Sequence, residues 1–492
     1  MSTSRGLSGR LMEIGPVRRH SLIAFLSSIG VTVIGFFATI YIAHNAGAAA
    51  LGGFFLLLAY VGIIGLFTDG GVGGAALQRI SEGESQDEYF SAHAAVRGVL
   101  LAATLTVLIA VRPLFVDLNQ SGLFLWLLVA LVVSTAAGII STGVYGSGKV
   151  GILQIADLVN NVVRFVVQVI AVYIGYSVGG LAAGFIVGIL AGLFINMRVL
   201  SMKIATFGRR NIRGLFAFSG WAFIIGLTGA LMGYADTILV GYFLSNSEIG
   251  MYRTSFQLAT IALFVMVALR TALYPKIASW MKRGEIRSVE NALARAITYS
   301  LALAVPAACG AWVLGSSLLY YLYGAPFAVA GPALSLLFMV EIVTVFLSLE
   351  TMCLSALDMP KSVFLATAIG AASTIILDIL LIPVFGITGA ALALLFGTGI
   401  FALAAHQVLK KRIRVRIEKK SVASIIVSSA IMALCVFVYQ YCIPGTNVFL
   451  IVGAVVTGMM IYTLLLVRFD RVIRDEVREM VKGIGLPWPG WL

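Results

Sequence analysis

An apolar stretch from Ile155 to Gly175 carries five side chains that form hydrogen bonds or hold a charge. They are Asp157, Asn160, Asn161, Arg164 and Gln168. Positions 157, 161, 164 and 168 are spaced by four, three and four residues, so a helix places them on one face, with Asn160 at its border. The stretch therefore predicts a helix with one polar face inside an otherwise apolar segment.

This polar face has two interpretations that depend on what it meets. A charge that faces lipid at mid-depth costs at least about 2.5–3.5 kcal/mol, so the face must meet protein or a water-filled cavity. Either its side chains join neighbouring helices by hydrogen bonds, or they line a cavity and contact a polar ligand. We favour the cavity wall.

The composition of the chain places this helix in a membrane. Hydrophobic residues make up 60% of the 492 residues and charged residues 11%, whereas soluble globular proteins are about 25% charged. The apolar runs are continuous over about 20 residues, the length of a spanning helix, and lack the alternation of barrel strands. The sequence predicts an all-α polytopic membrane protein with about fourteen spans. The predicted spans are 21–43, 51–68, 91–111, 122–143, 151–175, 178–200, 217–244, 251–272, 293–321, 329–353, 362–383, 386–409, 421–443 and 447–467.

The distribution of basic residues predicts the orientation of these spans. With a cytoplasmic N-terminus, the inner segments and their flanks hold 29 of the 34 Lys and Arg residues, and the outer loops hold only Arg112. This is the bias of the positive-inside rule, and it predicts that both termini are cytoplasmic. The net charge of +13 therefore reflects topology and contact with anionic lipid headgroups rather than binding to nucleic acid.

Motifs for covalent chemistry are missing from the sequence. The longest connections between spans are about 20 residues, so no soluble catalytic domain is predicted. No GxxxxGK[ST] segment is present to hold the phosphates of ATP. The four cysteines and four histidines show no metal-ligand spacing. We predict no enzymatic activity, no cofactor and no metal site.

Two pairs of similar segments within the chain predict a repeated architecture. Residues 39–60 align without a gap to the segment that starts at Thr237, and 178–185 align more loosely to 387–394. The copies lie six spans apart, which predicts two six-helix lobes in parallel repeat, a plan found in transporters. The predicted organisation is a cytoplasmic segment 1–20, an N-lobe 21–200, a cytoplasmic linker 201–216, a C-lobe 217–409, two further spans within 421–467 and a cytoplasmic tail 468–492.

Several segments of the chain resemble a known transporter family. The segments 235–259 and 272–285, together with 66–83 and 381–391, are similar in order and spacing to those of the polysaccharide-export flippases. These include the O-antigen and lipid-linked oligosaccharide translocases, within the multidrug/oligosaccharidyl-lipid/polysaccharide transporter superfamily. The resemblance covers roughly residues 20–410.

The resemblance implies a mechanism and gives the polar helix a role. It implies a V-shaped pair of six-helix lobes that rock around a central cavity and turn a polyprenyl-(pyro)phosphate-linked glycan from the cytoplasmic to the outer leaflet. In such a cavity the guanidinium group of Arg164 would hold phosphate. Asn160, Asn161 and Gln168 would hold sugar hydroxyls or water. Asp157 would orient the arginine or take a proton.

Charged residues in the second lobe are candidates for ion coupling or gating. Asp236 and Arg253 either form a structural ion pair across a hairpin or provide a gate charge and a second phosphate contact. Glu341 is a candidate protonation site, because burial favours the neutral form of a carboxyl group. The coupling ion, H⁺ or Na⁺, is left open.

Arg97 and Arg270 lie near inner span ends, so we expect them to extend to the lipid headgroups.

Other functions compete with the flippase interpretation. A cation-coupled exporter of drugs or metabolites would share the same fold. A membrane glycan polymerase or transferase usually needs large outer loops with clustered catalytic groups, but the outer loops here are short, with acids only at Asp117 and Glu248. For the flippase we expect a location in the cell membrane, a polyprenyl-linked glycan and membrane lipids as partners, and loose association with glycosyltransferases or a polymerase.

Overall fold

The structure is a computed structural model that describes a large part of the chain. The described residues are 16–115, 118–119, 121–442 and 447–483. Most of the predicted N-terminal segment 1–20 lies outside them, as do Asp117 and residues 484–492 of the predicted tail.

Every regular element in the described residues is a helix, which confirms the all-α fold class. The α-helices are α1 (Pro16–Asp69), α2 (Val72–Ser81), α3 (Gln86–Ala110), α4 (Phe124–Gly146), α5 (Val150–Tyr173), α6 (Val178–Val199), α7 (Arg209–Phe243), α8 (Asn246–Ala259), α9 (Phe264–Lys282), α10 (Ile286–Tyr323), α11 (Gly331–Ala356), α12 (Pro360–Leu409), α13 (Lys419–Cys442), α14 (Val448–Phe469) and α15 (Arg471–Gly483). Short 3₁₀ turns lie at Arg112–Leu114, Thr260–Leu263 and Ala325–Ala330.

Within these residues, 12 helical stretches are long and apolar enough to cross a membrane. Two of them, Gly30–Asp69 and Pro360–Leu409, are 40 and 50 residues long. Each contains one glycine with non-helical dihedrals, Gly47 (φ 81°) and Gly386 (φ 59°), a conformation that glycine adopts without steric cost. Each of these two long stretches corresponds to two predicted spans, so the twelve stretches account for all fourteen predicted spans. The count of fourteen crossings stays a prediction.

The chain divides into two compact units, Met1–Ala230 (unit 1) and Leu231–Leu492 (unit 2). The boundary lies inside α7. The first half of this helix packs within unit 1, where Leu215 joins an apolar cluster with Val72 and Phe90. The predicted lobes 21–200 and 217–409 stay predictions.

Glycines bring α5 and α6 of unit 1 into close contact. Four of them recur at every fourth residue of α6 and so form one stripe. They are Gly180, Gly184, Gly188 and Gly192. A Cβ atom at Gly188 would lie 2.7 Å from the Asn160 carbonyl oxygen and 2.8 Å from the Arg164 Cβ atom. This packing fixes which face of α5 meets α6.

In unit 2 the two halves of α12 fold back on each other at Gly386. Gly397 packs against the Thr374 side chain, and Gly370 packs against Phe401. The last two long helices pack on α10 through hydrogen bonds. The Gln440 amide of α13 donates to the Ser317 hydroxyl (3.2 Å), and the Tyr462 hydroxyl of α14 donates to the Ala302 carbonyl (2.7 Å).

Candidate functional site

Part of the polar face of α5 is used to join α5 to α6. Gln168 is 2% exposed, and its amide donates to the Leu181 carbonyl at 2.9 Å. Asn160 packs against Gly188 and Gly192. These two side chains therefore form the inter-helix contact that was one of the two interpretations of this face, and their contact with a ligand stays a prediction.

The other side chains of this face are more open. The Asp157 side chain is exposed, and the Asn161 amide donates to the Asp157 carbonyl at 2.8 Å within the helix. The Arg164 guanidinium lies 4.4 Å from the centre of the Phe165 ring, and Phe165 packs against Gly35 of α1. The three polar side chains lie along successive turns of α5, so the helix presents one acid, one amide and one guanidinium together.

Arg164 is the member of this face whose environment points to an anionic ligand. Its Nε atom is buried and has no hydrogen-bond partner among the described residues. No carboxylate in that part of the chain lies within ion-pair distance of it. A buried donor without a partner is unfavourable by about 1–3 kcal/mol, or more when it is charged. An incoming phosphate would supply both the charge and the acceptor atoms.

A second polar cluster lies in unit 2, around Asp236. This carboxylate is 4% exposed and accepts hydrogen bonds from the Tyr252 hydroxyl (2.9 Å) and the Thr237 backbone N–H (2.6 Å). The Arg253 guanidinium is more distant, with its nearest nitrogen 4.0 Å from the same carboxylate. It also lies 5.1 Å from the Phe256 ring centre. Tyr252 is therefore the closer partner of Asp236.

Asp378 of α12 completes this cluster. Its side chain is fully buried, and neither carboxylate oxygen has a hydrogen-bond partner among the described residues. It lies close enough to Asp236 for the two charges to interact. A buried, unpaired carboxylate is strongly unfavourable, and a second one nearby adds repulsion. The arrangement can take up a cation, either a proton or a metal ion held by oxygen ligands.

Two glutamates on α11 are also buried. Glu341, the predicted protonation site, is 2% exposed. Glu350 is 2% exposed as well, and its Oε1 atom lies 2.9 Å from the His406 Nδ1 atom of α12. Glu350 therefore has a titratable partner, whereas Glu341 interacts with the Thr344 side chain of the same helix.

The expectation that Arg97 extends to lipid headgroups is wrong. Arg97 is 8% exposed, lies 3.5 Å from the Asp69 carboxylate and donates through Nε to the Thr68 carbonyl at 3.4 Å. Gly138 of α4 leaves room for it, since a Cβ atom there would lie 2.5 Å from the guanidinium. An ion pair with Asp69 is available within unit 1, so the side chain stays inside the protein.

Sequence reasoning did not single out Tyr252 or Asp378. The internal repeat contained a signal for Tyr252. Phe54 stands at the matching position in the other copy, and Ala38 and Phe55 stand at the positions of Asp236 and Arg253. Three polar groups thus occur together in one copy alone. Asp378 could be recognised only as an acid within the predicted span 362–383, since its relation to Asp236 arises only when α12 packs in unit 2.

The chain is similar to a known protein family and to two proteins named as flippases. A family model described as "Polysaccharide biosynthesis protein" matches residues 47–332. The chain is 24% identical over 468 residues to the "Probable low-salt glycan biosynthesis flippase Agl15" of Haloferax volcanii. It is 26% identical over 471 residues to the "Probable flippase AglR" of the same organism. Both alignments cover 94% of this chain and 98% of the relative.

Solved structures share the fold at low sequence identity. The inward closed conformation of the lipid II flippase MurJ has a TM-score of 0.77 and 16% identity, covering 92% of this chain and 99% of that one. An inward-facing multidrug resistance MATE family transporter has a TM-score of 0.61 and 13% identity, covering 78% and 94%. The fold is therefore the one shared by these transporters.

Proposed function

Because the chain belongs to the polysaccharide biosynthesis protein family, we propose that it carries a polyprenyl-(pyro)phosphate-linked oligosaccharide from the cytoplasmic to the outer leaflet of the membrane. The protein is a transporter rather than an enzyme, and it moves its substrate by alternating access. The relatives named as flippases align with nearly its whole length, which supports this function. The glycan is used in surface polysaccharide or glycan assembly.

The observation in the structure that carries this proposal is the environment of Arg164. The Arg164 Nε atom is buried without a partner among the described residues, on a helix long and apolar enough to cross a membrane. Such a guanidinium matches a substrate whose headgroup is a phosphate or diphosphate. Asn161 and Asp157 lie on the preceding turns of α5 and would contact the sugars or orient the guanidinium. Gln168 and Asn160 hold α5 against α6, so that Arg164 is presented in a fixed position.

The cluster around Asp236 would couple transport to an ion gradient. Neither carboxylate oxygen of Asp378 has a hydrogen-bond partner in the described part of the chain, and Asp236 lies nearby. Binding of H⁺ or Na⁺ would neutralise the pair and favour one conformation over the other, since a ligand shifts an equilibrium by its differential affinity for the two states. Arg253 would act as a gate charge or second phosphate contact, and Glu341 as a further protonation site.

The orientation of the protein follows from its basic residues. We place both termini in the cytoplasm, because the inner segments then hold 29 of the 34 Lys and Arg residues. The two lobes 21–200 and 217–409 would rock about the central cavity in the cell membrane. Loose association with glycosyltransferases or a polymerase of the same assembly process would deliver and remove the glycan.

An exporter of small molecules is the second candidate, and one observation favours it. A MATE family multidrug transporter shares the fold with a TM-score of 0.61, and a paired-carboxylate cluster would serve cation-coupled export equally well. The fold alone does not separate the two functions.

Loss of the gene separates these candidates. For a flippase, cells without the protein accumulate a finished lipid-linked oligosaccharide on the cytoplasmic side, because synthesis continues while transfer stops. Lipid extracts analysed by mass spectrometry, with a test of which leaflet the glycan faces, measure this directly. Unchanged lipid-linked glycans together with greater sensitivity to cationic drugs would favour the exporter.

A further inference from the structure

A groove of about 420 Å³ runs along the seam between α9 and α10 in unit 2. This volume falls within the range of about 300–1,000 Å³ that is typical of small-molecule sites. The α9 wall is Leu269, Leu273 and Trp280, and the α10 wall is Ser288, Asn291, Ala292, Arg295, Ala296 and Tyr299. None of these residues belongs to the polar face of α5 or to the cluster around Asp236.

The two walls lie on an antiparallel hairpin that turns at Gly284. Trp280 and Ser288 are equally far from this turn along the chain, and so are Leu273 and Arg295. From Trp280 to Leu269 the groove is about 16 Å long, at about 1.5 Å per helical residue. It is therefore elongated, with the shape needed for a chain-like ligand.

The groove changes character along its length. Near the turn it is lined by Trp280 and by Ser288 and Asn291, whose side chains can donate and accept hydrogen bonds. Away from the turn it is lined by Leu269 and Ala296, which are apolar, and by the ring of Tyr299, whose hydroxyl lies close enough to Glu476 of α15 to interact with it. Arg295 lies between the two parts. In the proposed orientation the turn is cytoplasmic, so Arg295 lies at the headgroup level of the inner leaflet and the apolar part enters the membrane.

The two carboxylates of the hairpin itself are already paired, whereas Glu418 and Glu476, from other segments, lie near Tyr299. Glu285 lies 2.9 Å from the Arg283 guanidinium, and Glu290 lies 3.3 Å from the Arg416 guanidinium. Arg295 is exposed, and no carboxylate of the described chain lies within ion-pair distance of it. An arginine without a protein counter-ion beside an apolar groove is complementary to an anionic lipid.

We propose that this groove binds an anionic phospholipid of the inner leaflet. Its phosphate lies on Arg295, its headgroup hydroxyls contact Asn291 and Ser288, and one acyl chain lies along Leu273 and Leu269. Basic pockets between spanning helices on the cytoplasmic side bind anionic headgroups in this way. The lipid would join α9 to α10.

The lipid would also stabilise α9 at the position where a proline interrupts its backbone hydrogen bonds. This helix contains Pro275, which removes one backbone hydrogen bond and bends the helix. Pro275 lies between Leu273 and Trp280, the two α9 side chains that line the groove on either side of it. A bound acyl chain packs along this stretch and restrains the hairpin.

The test uses full-length protein in phosphatidylcholine nanodiscs with a trace of phosphatidylglycerol that carries a photoreactive acyl chain. Crosslinked peptides are identified by mass spectrometry. We expect crosslinks on the α9–α10 hairpin, and we expect Arg295→Gln to lower their yield about fivefold. Ala292→Phe fills the groove and should lower it with Arg295 intact. Arg287→Gln is the matched control, since Arg287 is exposed in the first turn of α10 and does not line the groove.

Three results would overturn the proposal. Equal labelling by a photoreactive phosphatidylcholine would show that the groove does not select an anionic headgroup. Equal losses with Arg295→Gln and Arg287→Gln would show an effect of surface charge alone. Stronger displacement of the label by unlabelled dolichyl phosphate than by unlabelled phosphatidylglycerol would assign the groove to a polyprenyl carrier.

Discussion

Replacing Arg164 with alanine should lower transport of the lipid-linked glycan at least about 30-fold while the protein still reaches the membrane. Truncating one partner of a buried charge pair costs about 2–5 kcal/mol, and each 1.4 kcal/mol is about tenfold. Arg164 gains the free energy of a charge pair only when the substrate phosphate binds, because it has no carboxylate partner in the described chain. Surface glycan is measured in a deletion strain that carries the variant, together with the amount of protein in the membrane.

Two further variants define what the Arg164 result means. Arg164→Lys should restore transport only in part, because lysine keeps the charge but loses the planar pair of donors. Arg198→Ala is the matched control, since Arg198 is exposed at the end of α6, where its guanidinium lies 4.4 Å from the centre of the Phe194 ring. Normal transport by Arg164→Ala would show that the polar face of α5 serves packing alone.

Replacing Asp378 with asparagine should make the protein insensitive to the coupling cation. In the wild type, a cation that binds only the folded state and is present at about a hundred times its Kd raises the free energy of unfolding by about 2.7 kcal/mol. Asparagine has nearly the same shape but no charge to attract a cation, so this gain should vanish, and transport should lose its dependence on the ion gradient. Thermal unfolding of the purified protein with added Na⁺, and separately on acidification, measures the effect and identifies the ion.

Asp358→Asn provides the matched control for Asp378→Asn. Asp358 is exposed in the turn between α11 and α12 and has a φ of 57°, a conformation that asparagine tolerates well. The same chemical change there should leave the response to the cation intact. If Asp378→Asn responded to Na⁺ and to acid as the wild type does, the cluster around Asp236 would have no part in coupling.

The helical membrane fold could be predicted from the sequence because lipid leaves few alternatives. Apolar runs of about 20 residues must be helices, since lipid offers the backbone no other hydrogen-bond partners. The helices that join at Gly47 and Gly386 could not be counted so easily. Each kinked stretch is a continuous helix apart from one glycine, and hydropathy does not show whether such a stretch crosses the membrane once or twice.

Spacing alone could identify the polar face of α5. It could not show which of its side chains bond to α6 and which do not. Helical periodicity groups Gln168 with Arg164, yet Gln168 donates to Leu181 whereas the Arg164 Nε atom has no partner in the described residues. The neighbouring helix makes this difference, and the stripe that begins with Gly180 and Gly184 of α6 was its signal in the sequence. Small residues at every fourth position mark a face where another helix approaches closely.

Ion pairs between distant segments were harder to predict. Arg97 lies near the end of its span, and position alone suggests that it reaches the headgroups. Its partner Asp69 lies at the end of α1, and only the packing of α1 against α3 and α4 shows that the two meet. The same reason explains why Asp378 was not among the predicted site residues.

The central claim is that this protein moves a lipid-linked glycan across a bilayer, and the most direct measurement is flipping in sealed vesicles. Full-length protein is reconstituted with the lipid-linked oligosaccharide extracted from deletion cells, and the fraction of glycan that an added glycosidase can reach is followed with time. The account predicts that protein brings glycan from the protected leaflet to the exposed one, whereas protein-free vesicles and Arg164→Ala vesicles keep it protected. Equal protection with and without wild-type protein, in the presence of a Na⁺ or pH gradient, would contradict the account.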